Sequence, residues 1–172
     1  KIAWLHEIGQ GEFKDASGTL AHVSVAETTL SSKKLELSLA KLAYAADLTE
    51  EDISTETEQL NIEEIDNQMD IVNVQVRIKA EVLQRLNNHN ALVAAGSEAS
   101  AFAETFATRL VAYPALRDLF ERCLSASLEG EVLKLEDLVD VLTAKDNDEE
   151  GSLDYIAAFE TFVRGREVSR FH

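Results

Sequence analysis

The sequence predicts an all-α protein, an irregular stack of antiparallel helices resembling an α-solenoid, and three observations carry that expectation. One proline and seven glycines in 172 residues leave few backbone breakers, since proline removes a hydrogen-bond donor and glycine carries an entropic cost inside a helix. Leu, Ala, Glu and Lys, all good helix formers, are abundant. Apolar residues recur at spacings of three and four along most of the chain, the period of one helix face. At this length a single domain over residues 1–172, with one sizeable core, is the expectation. No repeat of fixed period is present, so irregular stacked helix pairs describe the pattern better than a regular solenoid.

The elements follow in order. "KIAWLHEI" reads as the tail of a longer helix, with Trp4, Leu5 and Ile8 apolar and Gly9 as its stop. A second helix from about Glu12 to Glu27 carries Phe13, Ala16, Leu20 and Val23, and Thr28 and Thr29 offer caps for the helix after it. That third helix is "SSKKLELSLAKLAYAAD", Ser31 to Asp47. On a helical wheel Leu35, Leu39, Leu42 and Ala46 share one face, while Leu37 and Tyr44 fall almost opposite. A surface helix needs one apolar stripe, and this one has two.

"DLTEEDISTETEQL" is polar and rich in caps, a connector into a long helix from about Thr55. Leu60, Ile62, Ile65 and Met69 mark its first part, and Ile78, Val82 and Leu86 its last. Between them "DIVNVQVRI" alternates with period two, the pattern of a strand. A lone strand has nothing to pair with, so the segment is read as a two-sided helix or a local break. "NNHNALVAAGS" connects to a helix capped by Ser97 that includes Phe102, Phe106 and Leu110. Pro114 opens the next, where its missing N–H is harmless, and Leu116, Leu119, Phe120 and Leu124 form the apolar side. Two shorter helices, about Leu135 to Ala144 and Leu153 to Arg164, complete the chain. The basic "VRGREVSR" after them complements a helix C-terminus.

Charge and motifs narrow the function classes. A formal charge of −16 opposes phosphate backbones and anionic lipid, so neither nucleic acid nor direct membrane contact is expected of this chain. Cys123 is the single cysteine, expected to be a small buried apolar residue in a reducing compartment. No apolar run approaches the roughly 20 residues of a bilayer span. The chain begins at Lys1 rather than methionine and reads as a piece of a larger protein.

"DNDEEG", Asp146 to Gly151, imitates the start of a calcium loop, but its twelfth position is Ala157 where a bidentate glutamate is required. His6 and Glu7 lack a second histidine at chelating spacing, and Gly9 and Gly11 lack the strand and lysine of a phosphate loop. His22, His89 and His172 stand in no metal-ligand spacing, and no Ser, Cys or Lys has a nucleophile's setting. The acidic pairs Glu50/Glu51 and Glu63/Glu64 are adjacent residues that diverge on a helix, so they read as solvated faces. No catalytic residue, metal site or cofactor is expected.

The two-sided third helix remains. In a stack of antiparallel helices a middle member can be covered on both sides by its own chain; alternatively, one stripe joins the core and the other meets a second protein. Leu30, Leu37 and Tyr44 recur every seven residues, like one seam of a helix pair, and an aromatic within a leucine seam suits an interface centre. Leu30, Leu37 and Tyr44 are therefore expected partner-binding residues.

Ala3 to Asp47 also carries a family likeness. Leu5-His6-Glu7, Thr19-Leu20, Ala26-Glu27-Thr28, and Lys33-Lys34 followed by Leu37, Leu39 and Lys41-Leu42-Ala43 occur in an order and spacing that resemble the start of the C-terminal helical domain of the nucleoporin 133 family. "LKLEDLVDVLTAKDN" resembles a late helix of that domain, and the specific likeness covers about a third of the chain. The resemblance implies an N-terminal β-propeller outside this chain and a location at the nuclear pore complex of the nuclear envelope. It implies a scaffold of the Y-shaped subcomplex, supporting transport of mRNA and protein. The implied partner is the C-terminal helical domain of a nucleoporin 107 family member, bound tail to tail, and the implied contacts include Leu37 and Leu39. The alternative is a helical-repeat adaptor or coat protein of another assembly.

Overall fold

A computed structural model describes residues 2–48, 56–94, 102–107, 110, 112–146 and 152–168. Among them the elements are helices joined by turns, with no strand, as the composition predicts. In order they are α1 (Ala3–Gln10), α2 (Phe13–Val25), α3 (Leu30–Asp47), α4 (Glu56–Ala94), α5 (Phe102–Phe106), α6 (Pro114–Glu129), α7 (Leu135–Ala144) and α8 (Ser152–Val168). The chain divides into two compact units, one of residues 1–73 with 164–172 and one of residues 74–163.

In the first unit α1 stops two residues later than its glycines suggest. Gly9 stays helical, and Gly11, at φ 81°, makes the left-handed turn that only glycine adopts freely. The Gly11 N–H donates to the Ile8 carbonyl at 3.1 Å and the Glu12 N–H to the Glu7 carbonyl at 2.9 Å, so the last turn's orphan acceptors are satisfied. Helices α2 and α3 are joined by four residues, which forces their contacting faces into an antiparallel pair. Leu20, Ala40 and Ile65 form a buried cluster, with Trp4, Ala21 and Leu39 packed on its edge.

The threonines do not cap α3 with their side chains. Thr29 occupies the N-cap in extended conformation, while the Glu27 carboxylate accepts from the Thr28 and Thr29 N–H groups at 3.0 and 2.9 Å. Lys33 Nζ donates to the Ser24 carbonyl at 2.8 Å, closing the C-terminal end of α2 from the neighbouring helix. Burial pushes the Lys33 ammonium pKa down, against the upward pull of Glu36 and Glu27.

The alternating segment is continuous helix within α4. Its inward line is Ile65, Gln68, Val72, Gln75, Ile78 and Val82, a three-and-four spacing that the period-two alternation conceals. Two glutamines hold inward places because each has a buried partner. Ser24 Oγ donates to Gln68 Oε1 at 3.4 Å in the first unit. In the second unit, Gln75 Oε1 accepts from the Leu133 N–H at 2.8 Å and Gln75 Nε2 donates to the Leu133 carbonyl at 3.5 Å.

In the second unit α5 is shorter than expected. The Phe106 carbonyl accepts from the Asp146 N–H at 2.9 Å, and the Leu110 N–H turns instead to Ala107 at 3.0 Å, so Leu110 lies in a tight turn beyond the helix. Pro114 is at the start of α6, as expected. Phe120 and Leu124 are buried on it, but Leu116 faces solvent. Phe102, Phe106 and Phe120 stack edge-on or tilted at 5.7 and 6.0 Å between ring centres, with the Arg85 guanidinium 4.5 Å above Phe106. Cys123 is buried as predicted. Desolvation raises its pKa to about 11, which keeps the thiol protonated and a poor nucleophile. Gly130, at φ 81°, ends α6 with the same left-handed turn as Gly11.

Candidate interaction surfaces

Helix α3 settles which of its stripes is inside. Leu30, Leu37 and Tyr44 are buried, Leu37 with no exposed surface at all. Their seven-residue seam is thus packed within the folded chain. Leu39 is half-buried on the edge of the Leu20 cluster. The outward stripe holds Leu35, 60% exposed, and Leu42, 67% exposed, with Ala46 in line with them. The wheel fixed the angle between the stripes, not which one meets α2. Lys33 also lies on the inward side, where the Ser24 carbonyl accepts from its ammonium.

Helix α8 shows the opposite distribution. Its inward positions in the second unit are small, Ala158 and Thr161, and the Thr161 hydroxyl is buried without a hydrogen-bond partner. Tyr155, Ile156, Phe159, Phe162 and Val163 face outward, with Phe159 71% exposed. Ionic contacts at its start tie the helix down. Asp154 accepts from Arg77 at 3.0 Å and from Lys145 at 2.7 Å. Lys145, only 6% exposed, also meets Glu81 at 2.6 Å, and Glu81 pairs with Arg85 at 2.9 Å. A buried ammonium is tolerable only when so paired. The chain Arg77, Asp154, Lys145, Glu81 and Arg85 therefore links α4, the end of α7 and the start of α8. Nothing in the spacing of these residues along the sequence announced it.

The remaining candidates have structural roles or lie elsewhere. Glu7 Oε1 accepts from the Thr19 hydroxyl at 3.1 Å, joining α1 to α2. The ring of His89 stands edge-on to Phe102 at 5.8 Å. Asn147 to Gly151, most of the acidic loop, and Glu50, Glu51, Ser97 and His172 lie outside the described residues. Among the described residues no group of His, Cys, Asp and Glu could hold a metal ion. No described helix is long and apolar enough to cross a membrane. A cleft of about 220 Å³ in the first unit is lined by Lys14, Ser17, His22, Tyr44, Glu64 and others, below the roughly 300–1,000 Å³ typical of small-molecule sites.

Exposed apolar faces on α3 and α8 are features of a protein of the interaction and scaffold class. The family model for the C-terminal region of non-repetitive, WGA-negative nucleoporins matches residues 1–161, and the chain belongs to that family. Membership carries a location at the nuclear pore complex of the nuclear envelope and a scaffold role there. Comparison with curated proteins and with solved structures gives no match.

Proposed function

We propose that this chain is the C-terminal helical domain of a nucleoporin 133-type scaffold protein, and that α3 contributes to its contact with the C-terminal helical domain of a nucleoporin 107 family partner in the Y-shaped subcomplex. The reading rests on the outward stripe of α3: Leu35 and Leu42 are exposed on the helix that carries the most specific part of the family likeness. Leu39, which belongs to the expected contact set, lies half-buried beside that stripe. Two leucines and a neighbouring half-buried one, each contributing on the order of 2 kcal/mol when fully buried, make a plausible interface centre.

The test is a double variant, Leu35→Lys with Leu42→Lys, assayed by binding to the partner's C-terminal domain and by thermal melting. Binding should fall at least tenfold while the melting temperature stays within a few degrees of the parent. Full binding by the double variant would remove α3 from the interface. Purification from cells without any Y-complex nucleoporin would instead favour a scaffold role in another assembly.

A further inference from the structure

We propose that the outward face of α8 is a second docking surface, for a basic amphipathic helix of another polypeptide. Tyr155, Ile156, Phe159, Phe162 and Val163 are 44, 52, 71, 45 and 39% exposed, and their positions fall within roughly a third of the helix circumference. Large apolar side chains outward and small ones inward invert the usual arrangement of a surface helix. The helix is held to its own unit by Asp154, through Arg77 and Lys145, so its apolar residues are not needed for that attachment. Such a continuous apolar stripe on the surface marks an interaction site.

Its shape and surroundings select the occupant. From Tyr155 to Val163 the stripe is about 12 Å long at 1.5 Å per residue, a length that a single opposing helix can cover. Five partly exposed side chains supply far less than the roughly 800 Å² per partner of a stable interface, so apolar contact alone would not hold a second copy. A second copy would also bring −16 against −16, whereas a helix flanked by Lys and Arg gains attraction from the same field. The acidic balance equally disfavours anionic lipid.

The surface is independent of α3 and can be tested separately from it. The probe is a synthetic 18-residue helix with leucines on one face and lysines on both flanks, measured against the full 172-residue chain by fluorescence anisotropy at physiological salt. Phe159→Ser and Ile156→Ser should each weaken binding at least tenfold, Leu116→Ser on the exposed side of α6 should change it less than twofold, and a peptide with glutamates replacing the lysines should bind at least tenfold more weakly. Circular dichroism of each variant checks that the fold is intact. Equal binding by Phe159→Ser and Ile156→Ser would overturn the assignment of the face, and equal binding of the glutamate peptide would overturn the charge preference. Sedimentation showing a parental dimer that Phe159→Ser dissolves, or flotation with neutral phosphatidylcholine vesicles lost in the same variant, would replace the helix with a second copy or a lipid surface.

Discussion

Helices α3 and α8 both show apolar side chains to solvent, yet they are attached to their units by opposite means. On α3 the large residues Leu30, Leu37 and Tyr44 are inside, and Leu35 and Leu42 are a surplus. On α8 the inward positions are Ala158 and Thr161, and the attachment runs through the carboxylate of Asp154. Apolar burial is nearly indifferent to salt, whereas ion pairs are screened by it. One helix is thus anchored by hydrophobic contact whatever the ionic strength, and the other has an anchor sensitive to it.

The largest effect expected is at the α3 anchor. Leu37→Ala removes a side chain with no exposed surface and should lower stability by about 3 kcal/mol, read as a shift of the urea midpoint with an unchanged slope. A loss below 1 kcal/mol would mean that α3 is not fixed by this seam. Next comes the α8 anchor, where Asp154→Asn leaves the Lys145 ammonium with Glu81 alone and Arg77 without its partner. The expected loss is about 2 kcal/mol at low salt, because a buried charge loses one of its two counter-charges. The difference from the parent should shrink as salt rises; a loss equal at 20 mM and 500 mM salt would contradict the ionic anchor. Smallest are Leu35→Ser and Phe159→Ser, both on exposed residues, each within about 0.5 kcal/mol of the parent in the same titration. A loss comparable to that of Leu37→Ala in either would show that its face packs inside after all.

The same pair of helices shows how far the sequence could be read. The existence of α3, its boundaries to within one residue and its two stripes follow from periodicity, because that signal is local. Which stripe is buried depends on where α2 and α4 lie, and on one ambiguous side chain. Lys33 carries a charge yet lies on the buried side, because its ammonium reaches a carbonyl that only the folded pair places there. In α4, Gln68 and Gln75 broke the apolar rhythm at two inward positions, since a buried amide is stable only against partners distant in sequence, Ser24 and Leu133. On α8 the apolar residues do lie on one side, and the usual rule would turn them inward. The ionic network that allows them outward joins positions 77, 81, 85, 145 and 154, a combination with no period to detect.

The grip of Gln75 on Leu133 has a kinetic consequence. A side-chain amide carries the same donor and acceptor as a peptide group, so Gln75 presents to Leu133 what a neighbouring strand would present. The Leu133 N–H sits in the connection between α6 and α7, where amide protons ordinarily exchange with solvent quickly. Here its proton can leave only when the amide of α4 lets go, and its exchange rate becomes a clock for the opening of the second unit.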